Sequence, residues 1–452
     1  MRKILSGFVL LFLLASCVSK SSEHKESAEP SQWWNDATIY EVNTRQFSPQ
    51  GTFSEVEKQL PRLKEMGVDI LWFMPVQPIG ELNRKGSLGS YYSISDYTAV
   101  NPEFGTIQDF RRLVDKAHQL DMKVILDWVA NHTSWDAKWI NNEGWYSLDS
   151  MGNKYSPYDW SDVVELNYDN PRMRDEMINE MKFWIKNVGV DGFRADMAHE
   201  VPTSFWNAAS DSLRALNPDI FMLAESENPD LMNKAFDMNY AWELHHLMNA
   251  LAKSEVKADS LWSFYEKKYL QFPNNEIQMN FTSNHDENSW AGTEFERMGD
   301  AAPAFAALTY VLPGMPLIYN GQEAGFNRRL AFFEKDSIDW SQSKLDQYSA
   351  LYRNLNSLRK DNKALWSGAD GGKLVRVNNN LPDQVFSFKR EKGDDCVIGV
   401  FNFTDTMVDV KLDDKSINGE YNTFGSEADM KLNVEESVTL PPYGYAIFYR
   451  NK

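Results

Sequence analysis

Cysteine is nearly absent: the 452 residues contain two, Cys17 and Cys396. With Cys17 assigned to the leader described below, one thiol remains and no intramolecular disulfide is possible. The fold must then rest on its apolar core. Cys396 sits in the apolar run DDCVIGV, reads as a packed strand residue and is given no chemistry. Positive charge is also short. Forty-six Lys and Arg stand against 65 Asp and Glu, a formal net charge of −19. A surface that acidic repels phosphate backbones, so no nucleic-acid partner is expected. No apolar run after residue 16 is long enough to cross a bilayer. No internal repeat occurs. No glycine-rich phosphate loop follows the first strand candidate, which weighs against an open doubly wound sheet.

The N-terminus reads as an address. Arg2 and Lys3 precede a nearly unbroken apolar run over residues 4–15, ending in Leu14-Ala15-Ser16-Cys17. Small residues before a cleavage point mark a signal peptide, here residues 1–16. A Cys at the first mature position resembles a bacterial lipoprotein signal, in which Cys17 carries the lipid. A plain signal peptide is the alternative. Residues 17–32 are polar and read as a flexible tether. The expected location is the cell envelope, anchored to a membrane through Cys17, on either the periplasmic or the outer face.

Aromatic residues make up 13% of the chain and include 15 Trp. A large aromatic core and a sugar-binding surface both fit that figure. From residue 33 short apolar runs alternate with helical spacing. Strand candidates fall at 38–42, 69–74, 122–126, 190–195, 220–224, 235–238, 277–281 and 315–319. Between them, Val56, Leu60 and Leu63, or Met177, Met181 and Trp184, recur at helical intervals. Eight such units predict an α/β fold, a closed (β/α)8 TIM barrel over residues 33–365. A Trp-, Tyr- and Asn-rich excursion at 131–164 follows the third strand as a short inserted domain. After residue 365 short alternating runs separated by turns predict an antiparallel β-sandwich at 366–452.

A TIM barrel builds its active site at the C-terminal strand ends. Here the third strand runs into Asp127, the fourth carries Arg194 and Asp196, the fifth ends at Glu225, and the seventh leads to His285 and Asp286. One acid at a strand end is usually a helix cap. Several at one mouth point to chemistry. Two carboxyl groups flanking a glycosidic bond, one protonated and one ionised, suffice to cleave it. Arg194, two residues from Asp196 on a strand, shares its face and is expected to keep it ionised. Glu225 follows the apolar run FMLA, and partial burial there suits a general acid.

The segments around 127–132, 192–196, Glu225 and 284–286 resemble the four short motifs of the α-amylase family, glycoside hydrolase family 13. They stand in the family's order. Residues 91–97 (YYSISDY), 101–106 (NPEFGT), 165–167 (ELN) and 313–323 (PGMPLIYNGQE) add to the resemblance. It implies a retaining hydrolase of α-1,4-glucans such as starch or maltooligosaccharides. In it Asp196 is the nucleophile, Glu225 the acid and then base, and Asp286 the group that stabilises the transition state. Tyr92, His132, Arg194 and His285 are the implied substrate-binding residues. No cofactor is required by it. Asn131 matches a common calcium ligand, but it as often ties loops together. His199-Glu200 replaces a common Lys-His pair, and residues 46–52 lack an Asp/Asn-rich calcium loop; both argue against calcium. Two other readings stay open at this level: a transglycosylase of the same family, and a non-catalytic glycan-binding protein.

Overall fold

Eight parallel strands close into a barrel: β1 (Ile39–Val42), β2 (Ile70–Phe73), β3 (Lys123–Val129), β4 (Gly192–Asp196), β5 (Phe221–Ala224), β6 (Met238–Tyr240), β7 (Ile277–Asn280) and β8 (Met315–Tyr319). The computed structural model describes residues 32–272, 276–342, 344–426, 429–433 and 435–451, with the backbone alone at 429–431. The leader, Cys17 and all of the tether except Gln32 lie outside the described residues. Residues from Trp33 to Lys452 form one unit. Among the described residues no helix is long and apolar enough to cross a membrane.

Strand alternation sorts the barrel into two cores. Ile39, Ile70, Trp72, Ile125, Phe221 and Leu223 point inward and pack with one another. Tyr40, Leu71, Val124, Leu126 and Met222, one position away, pack outward against the helices. The period of two then dictates what stands at the mouth. Two residues beyond Ile39 comes Glu41; beyond Ile125, Asp127; beyond Leu223, Glu225. In β4 the same file is Gly192, Arg194 and Asp196. Each inward file climbs from apolar to ionisable, which is why the acids converge.

The surrounding helices follow their apolar spacing. Phe53–Glu65 buries Phe53, Val56, Leu60 and Leu63. It stops at Gly67, whose φ of +93° is the left-handed region and where an added Cβ would stand 2.7 Å from Asn356 Cβ. Ile107–Gln119 starts with a capping box between Thr106 and Asp109. The helix expected to run unbroken over 174–188 is α-helical over Pro171–Phe183 and changes to a π-turn over Trp184–Val188.

Other boundaries differ from the sequence reading. The sixth strand was expected at 235–238 and starts at Met238 instead. Asp237 accepts from Arg214 and from Met222 N at 2.9 Å, so it anchors the strand's entry rather than its centre. Helices Trp242–Ala252, Ser260–Gln271 and Leu345–Asp361 lie between stretches whose spacing predicted only strands or nothing. The inserted segment is based on an antiparallel pair, His132–Ser134 with Val163–Glu165. C-terminal to the barrel lies a six-stranded antiparallel sheet, accompanied by two two-stranded sheets. They enclose a separate core that includes Val385, Ile398, Val400, Leu412 and Phe448. Cys396 is a buried free thiol in the Asp395–Asn402 strand.

One half-buried ion pair ties the helix Phe53–Glu65 to the loop after β8. Arg62 Nη1 and Nη2 each lie 3.2 Å from Glu323 Oε1, which also accepts from Tyr40 Oη at 2.5 Å. The Glu323 side chain is fully buried. Removing its cation leaves the buried carboxylate with donors from Tyr40 Oη and Gly321 N alone. Arg62→Leu is expected to cost about 3 kcal/mol in urea unfolding. An unchanged denaturation midpoint would show that Tyr40 and the backbone hold Glu323 without help.

Candidate active site

The inward files deliver four carboxyl groups and one guanidinium to the barrel mouth, and the loop after β7 adds Asp286. Arg194 sits beneath them with no exposed side-chain surface. Its Nη1 donates to Asp127 Oδ1 at 2.9 Å and to Asp196 Oδ1 at 3.0 Å, and its Nε donates to Tyr240 Oη at 3.0 Å. Its Nη2 lies 2.9 Å from Glu225 Oε1 as an ion pair without hydrogen-bond alignment. One cation therefore serves three carboxyl groups and fixes Asp196 and Glu225 against each other. Arg194 is not among the residues that line the cleft. It positions Asp127, Asp196 and Glu225 from beneath.

This sharing also corrects the electrostatics expected of Asp196. Burial pushes its carboxyl well above the ordinary carboxylate range. Arg194 pulls it back, while Glu225, Asp127 and Asp286 push it further up. Ionising Asp196 is thus favoured by one guanidinium and opposed by burial and by three neighbouring carboxylates. Glu225 has further support from the backbone. Met197 takes a left-handed φ of 44°, and its N–H donates to Glu225 Oε2 at 2.8 Å. A non-glycine residue there carries strain, and here the strain aims a donor at an acid.

His285 forms the other half of the site. Its Nδ1–H donates to Glu41 Oε1 at 2.5 Å, and Nε2 lies 2.7 Å from Tyr92 Oη and 3.3 Å from Asp286 Oδ2. Burial alone would discharge the ring, but Asp286 and Glu41 overturn that and raise it well above its ordinary value. The imidazolium in turn outweighs burial at Asp286 and holds that carboxyl low. Asp286 is therefore ionised beside a cation. His132 is the opposite case. Burial pulls it down to about 4, so it is neutral.

Tyr92, His132, Asp196, Glu225, His285 and Asp286 all line one cleft of about 380 Å³. That is the size class of small-molecule sites. Tyr92 stacks on His285 with centroids 5.5 Å apart and donates to Asp127 Oδ2 at 3.1 Å, presenting its ring as a floor. A second cavity of about 500 Å³ shares Met197 and Glu225 with the first and continues past Trp242. Glu225 stands where the two cavities meet, with Asp196 on the side of the first.

Several residues of the site escaped the sequence reading. Glu41 was readable from β1 alternation. Trp290, on a turn at Glu287–Ala291, and Phe332 and Lys85, on loops, carried no local signal. Lys85 Nζ lies 3.2 Å from Asp162 Oδ1, joining the loop after β2 to the inserted segment at the cleft. Of the aromatic residues at 131–164, Trp160 lines the cleft and packs edge-on to His132. Trp139 is instead core, stacked among Tyr97 and Trp145.

Calcium finds little here. Asn131 Nδ2 faces His132 Nδ1 at 3.3 Å, and Asn131 O accepts from Leu166 N at 3.0 Å, so the residue ties loops. Among the described residues no group of three or more His, Cys, Asp or Glu is placed to hold a metal ion. His199 and Glu200 pair with each other at 3.4 Å, and Tyr158 Oη donates to Glu200 Oε1 across from the inserted segment.

Residues 23–146 and 140–367 match the family described as alpha amylase, catalytic domain. The chain belongs to the alpha-amylase family. Alpha-amylase MalA of Haloarcula japonica is 27% identical over 432 residues, covering 90% of this chain. The chain spans 62% of that relative's length. An alpha-amylase from Lactobacillus plantarum superposes with a TM-score of 0.81 at 27% identity, covering 92% of this chain and 99% of the other. A noncanonic maltogenic alpha-amylase, AmyB of Thermotoga neapolitana, gives the same TM-score and identity, covering 92% and 97%. The catalytic-domain match ends at residue 367, where the barrel gives way to the C-terminal sheets.

Proposed function

We propose that this alpha-amylase family member cleaves α-1,4-glucosidic bonds in starch-type glucans or maltooligosaccharides by double displacement with retention. The observation that carries the reading is the shared guanidinium: Arg194 holds Asp196 and Glu225 side by side at one cleft. Asp196 attacks the anomeric carbon. Glu225 protonates the departing oxygen and then takes a proton from water. Asp286, kept ionised by His285, faces the positive charge that develops on the ring. Tyr92 supports the sugar's apolar face, and His132 and His285 bind its hydroxyls. The sugar then occupies the first cavity and the leaving group the second.

The second cavity also admits an acceptor sugar, so transfer to carbohydrate instead of water is the competing outcome. A purely glycan-binding role fits poorly, since all three acids reach the cleft. We read residues 33–365 as catalytic, 131–164 as its inserted domain and 366–452 as the C-terminal domain. The leader at 1–16 and Cys17 support a lipid-anchored enzyme of the cell envelope.

Product analysis on starch, pullulan and maltotriose to maltoheptaose is the test. Hydrolysis gives only products shorter than the substrate, with the α-anomer formed first. Products longer than the substrate identify transfer. No cleavage of any α-glucan would remove the proposal.

A further inference from the structure

We propose that a cavity between the barrel floor and the C-terminal sheet is a binding site for a phosphate-type oxyanion, free or carried on a small sugar. Its volume is about 430 Å³. Glu276, just before β7, and Pro313 and Gly314, just before β8, line one side. The strand Val385–Lys392 lines another. It therefore opens at the N-terminal ends of the barrel strands, whereas the acids stand at the C-terminal ends. It is separate from the glucan cleft and its case does not rest on the glycosidase reading.

The charge of this cavity runs against that of the molecule. The chain carries a formal −19, yet Lys268, Lys373, Lys389, Arg390 and Lys392 line the cavity against only Glu276 and Glu391. Glu391 is already engaged by Lys389 at 3.2 Å and by Arg450 at 3.3 Å.

The two buried cations decide the matter. Lys268 is 7% exposed, and among the described residues no Asp or Glu oxygen lies within 4.0 Å of its ammonium. Its ammonium lies 5.6 Å from the centroid of the Tyr265 ring. Arg390 is 1% exposed and donates to the carbonyls of Gly372, Val311, Leu312 and Trp366, none of them charged. Burial pulls Lys268 down to about 8 and Arg390 down to about 9; Arg390 deepens the first and Arg359 the second, and the more distant Glu227 and Glu276 offset the fall at Lys268 only in part. Apolar residues would pack such a place at lower cost. An incoming anion supplies the missing counter-charge through charge-assisted hydrogen bonds. Trp366 Nε1 is buried without a partner and is a further free donor. Glu276 Oε2, also buried and unpartnered, can accept from a sugar hydroxyl or a protonated phosphate oxygen. Phe272 and the half-exposed Tyr269 add an apolar wall.

Calorimetric titration of the full chain with inorganic phosphate and with glucose 1-phosphate, in potassium chloride at matched ionic strength, tests the site. Saturable one-to-one binding of at least one probe is expected. It should weaken about tenfold or more in Lys268→Met and in the Lys389→Met/Lys392→Met double variant, as loss of a charged contact implies. Met preserves the volume of Lys268 without its charge. The double variant changes less buried positions and keeps the test valid should the first fail to fold. Tighter binding of inorganic phosphate identifies a free-anion site, and tighter binding of the ester identifies a sugar phosphate. Absence of saturable heat with both probes, or binding that persists unchanged in the variants, would overturn the proposal.

Discussion

Asp196→Asn is expected to fold, to bind maltooligosaccharide with little change, and to lose about 10⁴-fold or more in turnover. Asn keeps the size and planarity of the carboxyl, so the donor from Arg194 Nη1 still finds an oxygen. Asp127 and Glu225 still pair with the same guanidinium. What disappears is an anionic oxygen able to bond the anomeric carbon. Stability should move the other way. A carboxyl whose folded pKa is raised costs nothing below the ordinary carboxylate pKa of about 4, where it is protonated in both states. Its cost grows as pH rises through the folded value. At neutral pH the Asn variant is therefore expected to melt no lower than the parent, by calorimetry. Near-normal turnover would remove Asp196 as nucleophile. A lower melting temperature would show that its charge serves the fold.

The convergence of the acids was legible because strands have a period of two. Once Ile39, Ile125 and Leu223 are assigned inward, Glu41, Asp127 and Glu225 follow on the same face. What periodicity could not give was how charge is divided. Arg194 is two residues from Asp196 and was read as its partner, yet one guanidinium also serves Asp127 and Glu225. That depends on contacts between neighbouring strands, 67 residues apart for the first and 31 for the second. The loops escaped for a related reason. Lys85, Phe332 and Trp290 reach the cleft on segments whose course is set by tertiary bonds, such as Leu88 N to Phe333 O at 3.0 Å. The helices after β6 were missed because their apolar faces are interrupted. His245 is wholly buried in Trp242–Ala252 and is bonded to Phe281 O at 3.1 Å, where a pattern reader expects solvent.

Glu225→Gln is expected to lose about 10³-fold on maltooligosaccharides, within the usual reach of general acid–base catalysis, yet much less on α-glucosyl fluoride. The difference follows from the leaving group. A sugar hydroxyl cannot leave as an alkoxide at neutral pH and needs the proton Glu225 carries. Fluoride departs without one. Gln retains one carbonyl oxygen to accept from Met197 N, so the strained turn after Asp196 should survive. The second half-reaction then becomes slow, because no base remains to deprotonate water. Azide, an anion that needs no base, should speed release of the glycosyl group and give a glycosyl azide of retained configuration. The pH profile reports on Asp196. In the parent, activity should rise as Asp196 ionises, above the ordinary carboxylate range because burial raises it. In the Gln variant that rise should persist on α-glucosyl fluoride. Equal losses on both substrates, with no response to azide, would mean that Glu225 does not handle the proton and that the division of labour between the two acids is wrong.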